Sequence, residues 1–390
     1  MQIFKRLIET NILKELNTPE IIIINGPRRV GKTTLLKALK NKILDKKTAY
    51  FDFTDPAIVQ LWQNFSQERI KAILNDLGMQ DHNGLICFDE IQYLNNIGLL
   101  LKLFYDHFSG IKIIATGSSS FLFLHNIGDS LAGRKKLFLL YPLSLEEITD
   151  VPTNDFWQFN ERPVLAESSG ETLKGVLLTG SYPEMYLLSS LQERTDKLKE
   201  IVDSYLFKDL LMIEGMKKPR TIVELTKLLA FQVGNLVNSN EIATQLGISR
   251  ITVLNYIDLL ERFYIIFRVY PYGKNLRNVM KKKFKVYFYD LGIRNAVIGN
   301  FSPLEQREDR GVLLENAVAL GLKRRIDYEK KPYELFYWRN YEGKEVDLVL
   351  GNDTLTGIEV AWNKKNHKFT KSFPGTGMIV DSTDAYRFYL

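Results

Sequence analysis

Eight residues near the start constrain this chain more than any others: Gly26-Pro27-Arg28-Arg29-Val30-Gly31-Lys32-Thr33, directly behind the β-branched run Ile21–Asn25. The spacing is G-x-x-x-x-G-K-[ST]. A run with no polar alternation needs both faces covered, as a buried parallel strand does. The glycines let the backbone curl so that successive N–H groups face one point. A helix predicted from Lys32 to about Leu44 aims its positive end at the same point. That combination predicts a parallel α/β sheet with a phosphate-binding loop. Gly26 through Gly31, with Thr34, would line a nucleotide. Lys32 would place a point charge on its β- and γ-phosphates, and Thr33 a hydroxyl on Mg2+. The cofactors expected are therefore ATP and magnesium.

The following residues fit that frame. Thr48–Phe53, Gly84–Asp89 and Ile111–Thr116 read as further strands, separated by helical patterns such as Ile97–His107. The third strand ends in two carboxylates. Asp89 would hold magnesium directly or through its water, and Glu90 would polarise an attacking water. A strand between the two motifs, with Asp-Glu rather than a lone Asp, favours the P-loop class that uses a catalytic glutamate. The fourth strand runs into Gly117-Ser118-Ser119-Ser120, where a hydroxyl can orient that water or simply make a turn.

These motifs resemble prokaryotic AAA-superfamily ATPases that carry a C-terminal domain of unknown function. The resemblance rests on residues 26–34, on Phe88-Asp89-Glu90-Ile91-Gln92 and on Thr116-Gly117-Ser118-Ser119. It also rests on Leu131-Ala132-Gly133-Arg134 followed by Tyr141-Pro142-Leu143-Ser144. It implies that Ser118 is a sensor. It also implies that Arg134 is an arginine finger, acting on its own or a neighbour's ATP, the latter through self-association. Surface charge beside Lys135 and Lys136 is the plain alternative for Arg134.

The expected architecture is α/β: a P-loop ATPase domain over 1–150, a helical and winged-helix region over 151–285, and a small α/β nuclease-like domain over 286–390. With 45% hydrophobic and 25% charged residues the composition is that of a globular protein. No apolar stretch reaches the length of a membrane span, so no membrane partner is expected. One cysteine, Cys87, cannot form an internal disulfide, which points to a reducing cytoplasm. Charge is uneven. Residues 201–300 carry 15 basic against 8 acidic side chains, which hints at a polyanion surface.

Within that basic quarter, residues 240–257 have helix-turn-helix spacing. Ala243 is small where two helices would cross, Gly247 sits at the turn, and Ser249 is a good N-cap. Arg250, Thr252 and Asn255 on the second helix could contact phosphates or base edges. Phe267–Tyr272 and Lys285–Tyr289 could form a wing whose loop carries Lys274, Arg277, Lys281, Lys282 and Lys283. DNA is the partner this suggests; a packing or lid module is the alternative.

The last ninety residues place Glu315 on a predicted helix Pro303–Arg325, Asp347 in a strand, and Glu359 in the next. This order resembles the restriction-endonuclease-like (PD-(D/E)XK) arrangement, in which carboxylates hold magnesium and a lysine steadies the attacking water. Ala361 stands at the lysine position, and Lys364 and Lys365 follow it. Metal binding without cleavage is the expectation. The leading functional reading is an ATP-driven switch acting on or near DNA. Its rivals are a regulatory ATPase with a protein partner and an ATP-dependent nuclease.

Overall fold

A computed structural model describes residues 3–43, 46–81, 83–117, 131–150, 167–203, 219–273, 283–352 and 354–389. The chain divides into two compact units, residues 1–141 and 142–390.

The first unit is a parallel sheet of five strands, β1 (Ile21–Asn25), β2 (Thr48–Asp52), β3 (Gly84–Asp89), β4 (Ile111–Thr116) and β5 (Lys135–Leu139), in the order β2-β3-β4-β1-β5. Every residue of β1, β3 and β4 is buried, as their unbroken apolar runs require. Because all five strands run the same way, their C-terminal ends share one edge. Register sets Thr116 beside Ile24, and Asp89 beside Asp52. On one face an aromatic cluster anchors the helices: Trp62 meets Phe51 and Phe88, each at 5.2 Å between ring centroids and close to edge-on. The edge strand β5 carries Lys135 and Lys136, whose charge masked it in the sequence.

The second unit contains a mixed sheet, β6 (Ile266–Pro271), β7 (Lys285–Phe288), β8 (Glu334–Arg339), β9 (Glu345–Gly351), β10 (Leu355–Val360) and β11 (Thr376–Val380), in the order β11-β10-β9-β8-β6-β7. β6 pairs antiparallel with β7 and, at Tyr270 and Pro271, parallel with β8. The hairpin expected to be a wing is thus part of the sheet that continues to β11. The division expected at 285/286 falls at the start of β7.

The long helix runs Arg310–Glu329, not Pro303–Arg325. Pro303 opens only a short 3-10 turn, Leu304–Gln306. Asp309 then accepts two hydrogen bonds from Arg307, at 2.7 Å each, and pairs with Arg294. That cluster sets the point where the helix begins. Helices Ser239–Leu246 and Arg250–Arg262 are joined through Gly247, whose left-handed φ of 60° closes the first, while Ser249 caps the second by accepting from the Thr252 N–H. Among the described residues no helix is long and apolar enough to cross a membrane.

Candidate active site

The loop after β1 is built by close backbone approach. Gly26 has φ 150°, and a Cβ there would lie 2.4 Å from the Leu140 carbonyl oxygen. Gly31, at φ 98°, sits immediately before the helix Lys32–Lys42. Between them Arg29 is itself left-handed, at φ 56°. The Asn25 carboxamide accepts from the Gly26 N–H at 2.8 Å. Arg6, buried, donates to the carbonyls of Val30 (2.8 Å) and Tyr141 (2.5 Å). The loop is therefore held by Asn25 at its first residue and by Arg6 at Val30, and it leads directly into a helix N-terminus.

Lys32 is 4% exposed. Its ammonium donates to the carbonyls of Gly26 at 3.0 Å and Pro27 at 2.7 Å, both in its own loop. Burial pulls its pKa down to about 8, against the attraction of Glu90 and Asp89 and with the help of Arg28.

Asp89, at 1% exposure, closes β3 beside β4. The Tyr50 hydroxyl donates to its Oδ2 at 2.6 Å, and the Thr116 hydroxyl donates to its Oδ1. The Thr116 oxygen in turn accepts from the Glu90 N–H at 3.2 Å. Glu90 leaves the strand in a left-handed conformation, φ 53°, and its carboxylate accepts from the Gln92 side chain. Thr116 thus joins the two acids, Tyr50 sets one oxygen of Asp89, and Gln92 sets Glu90. From the sequence, Gln92 and Thr116 are named only as members of motifs, with no role of their own, and Tyr50 is not singled out. Thr116 ends β4, Tyr50 lies midway along β2 and Gln92 follows β3 in a 3-10 turn, places that gain meaning only once the sheet order is known.

The donor set suits magnesium: hydroxyl and carboxylate oxygens, with Asp89 held by one donor on each oxygen and lone pairs left over. Among the described residues no group of three His, Cys, Asp or Glu side chains could cage a metal. Magnesium would therefore come with the nucleotide's phosphates, with Thr33 and Asp89 on the protein side. Ser118 lies outside the described residues.

Arg134 is elsewhere. Its carbonyl accepts from the Ile21 N–H, at the entry end of β1, and β5 then runs alongside to Leu139. The loop is at the other end of a five-residue strand, about 16 Å away at the usual rise. Its guanidinium donates to Asp106 at 3.1 Å and lies over the Tyr105 ring. The expectation that Arg134 acts on its own ATP is corrected by this topology.

In the second unit Arg250 and Asn255 are exposed and Thr252 is partly buried. Arg250 donates to the Ser239 hydroxyl, and Thr252 shares a hydrogen bond with Ser249. Lys283 is exposed; Lys274, Arg277, Lys281 and Lys282 lie outside the described residues. Among the described residues the three acids expected to gather around a metal form no group that could hold one. Glu315 and Asp347 come together with Glu345, and Lys285 sits among them. Glu359 lies near enough to Asp347 for that charge, after burial, to raise its carboxyl pKa. Lys364 does not fold back toward that group, but pairs with Asp384 at 2.9 Å.

Residues 18–149 match the family model of an AAA domain. Residues 170–304 and 310–380 match two domains of unknown function, DUF8612 and DUF4143. The chain is similar to two uncharacterized proteins of Methanocaldococcus jannaschii. One is 27% identical over 370 residues, 92% of this chain and 78% of that one. The other is 27% identical over 393 residues, 93% and 81% respectively. Among solved structures it is similar to a Walker-type ATPase of Pyrococcus abyssi, at 20% identity and a TM-score of 0.52, covering 76% of this chain and 96% of that one. The first unit has the parallel five-stranded sheet of P-loop ATPases.

Proposed function

We propose that this chain binds and hydrolyses ATP and uses the cycle as a switch acting on or near DNA. One observation carries the first part: Lys32, Asp89, Glu90 and Thr116 meet at a single sheet edge, with the Lys32 ammonium donating to loop carbonyls. Triphosphate oxygens would replace those carbonyls, and the loop N–H groups and helix N-terminus would bind the same anion. Magnesium, when bound, neutralises charge on the β- and γ-phosphate oxygens. Glu90, steered by Gln92, orients a water and draws its proton as the water attacks. Thr116 links Glu90 to Asp89, so a change at the phosphate is felt by both acids. Arg134, at the far end of the sheet, reaches ATP only in a neighbouring copy, so its role as a finger requires self-association.

The DNA reading rests on the helix pair closed at Gly247, on Arg250 and Asn255 exposed along its second helix, on Thr252 beside them, and on the basic run Lys281, Lys282 and Lys283. One observation favours a protein partner instead: Ile251, on the same helix, is 71% exposed. The test is ATPase rate with and without duplex and single-stranded DNA. Stimulation should fall steeply with salt, as neutralised phosphates release counterions, and the slope should flatten when the three lysines are neutralised. A rate indifferent to both DNAs would remove DNA from the reading and leave the protein partner.

A further inference from the structure

Lys285 follows the basic run 281–283 in sequence, yet it is 1% exposed. Its strand, β7, turns the ammonium inward among acids from two other elements. Glu345 on β9 is 2.8 Å from Nζ, Asp347 on the same strand is 3.4 Å away, and Glu315 on the helix Arg310–Glu329 is also 3.4 Å away. An ammonium has three N–H donors, so one cation can address three carboxylates at once. Further donors address the same carboxylates. The Tyr287 hydroxyl donates to Glu315 at 2.6 Å, the Val360 N–H donates to Asp347 Oδ2 at 3.0 Å, and Arg339 lies 3.5 Å from Glu345. Gly234 closes the cluster from another side: a Cβ there would come within 2.9 Å of the Glu315 carboxylate.

A divalent metal does not fit this arrangement. Bound at the usual distance of about 2.1 Å from Glu315 and Asp347 oxygens, it would sit within a few ångströms of a buried ammonium. Like charges that close, away from water, repel strongly. We infer that the Lys285 ammonium takes the place of a divalent cation, making this acid cluster a metal-free, non-cutting centre that joins β7, β9 and the long helix. The lysine absent at position 361 is thus not simply missing. A lysine comes from a different strand, and it is consumed as the counter-ion of the acids.

The inference is independent of the ATPase reading and is tested with Mn2+ on the full-length, nucleotide-free chain. Free Mn2+ is followed by electron paramagnetic resonance for wild type, Asp347→Asn and Lys285→Met. Comparison with Asp347→Asn cancels any ion held at the phosphate loop. Wild type and Asp347→Asn should bind equal amounts. Lys285→Met should gain one site, at least tenfold tighter than any the wild type shows in this unit, and its thermal midpoint should rise with Mn2+ over EDTA. Should Lys285→Met fold in neither condition, Lys285→Gln, which keeps two donors, replaces it in the same titration. Wild-type Mn2+ binding that disappears in Asp347→Asn would overturn the inference. So would a folded Lys285 variant that gains no site, or plasmid cleavage by wild type that Asp347→Asn abolishes.

Discussion

Lys32 in the first unit and Lys285 in the second are both nearly excluded from water, at 4% and 1% exposure, and both lie close to carboxylates at strand edges. Each cluster also has a tyrosine hydroxyl donating to an acid, Tyr50 to Asp89 and Tyr287 to Glu315. Their electrostatics run in opposite directions. Around Lys32 burial dominates, and the ammonium is pulled down to about 8. Around Lys285 burial also pulls down, but Glu315, Asp347 and Glu345 together outweigh it and hold the ammonium above the ordinary lysine range. Glu315 itself is pushed up to about 7, first by burial and then by Asp347, against the pull of Lys285. A buried cation that donates to neutral carbonyls is available to an incoming anion. One bonded to three carboxylates is already neutralised, and serves structure instead.

The sharpest way to break this contrast is at Lys32. Lys32→Ala should weaken ATP binding by about a thousandfold, roughly 4 kcal/mol, in calorimetry. Unchanged affinity would mean the loop is not a phosphate site. The depressed pKa adds a sign. In the free protein Lys32 holds fewer protons than an unfolded lysine between about 8 and 10.5, so folding stability gains as pH rises through that window. ATP favours the charged ammonium, so affinity should fall as pH rises above about 8. At pH 8 binding should take up about half a proton, read from heats in buffers of different ionisation enthalpy.

At the other pole, Lys285→Met leaves three acids packed together without their cation. Unfolding stability in urea should drop by about 3 kcal/mol, with ATP affinity untouched. A loss below about 1 kcal/mol would show that Lys285 is a bystander to those acids. Glu90→Gln keeps the shape and loses the base. Turnover should fall about a hundredfold, roughly 2.7 kcal/mol, while ATP still binds. Wild-type turnover would remove Glu90 from the water-orienting role. The smallest effect is expected at Tyr50→Phe, which deletes one hydrogen bond to Asp89. The magnesium dependence of turnover should shift about fivefold, near 1 kcal/mol, with the fold intact. No shift would leave Thr116 as the sole positioning group for Asp89.

Much of the first unit is visible before folding because it is written in consecutive residues. Ile21–Asn25, Gly26 and Gly31, Leu85 to Glu90, and Ile111–Thr116 specify strand, curl and acids within a few consecutive residues each, and the structure places β1, β3 and β4 on those runs. The turn at Gly247 and the cap at Ser249 are local in the same sense. The start of the long helix was not, because it depends on Asp309 meeting Arg294 as well as its neighbour Arg307. Strand β5 was hidden because an edge strand tolerates the lysines that disguise it.

What the sequence determined by itself was the set of local geometries: where the chain must curl, where it must be covered on both faces, and which side chains can hold phosphate or polarise water. Which groups meet was decided only by the tertiary structure. The order β2-β3-β4-β1-β5 brings Thr116 to both Asp89 and Glu90, and it sends Arg134 to the far end of the sheet. The pairing of β7 with β6 turns Lys285 away from solvent and into acids 30, 60 and 62 residues further along the chain. Residue type gives a side chain its charge. Whether that charge is solvated, spent on a partner or held ready depends on neighbours that only long-range packing supplies.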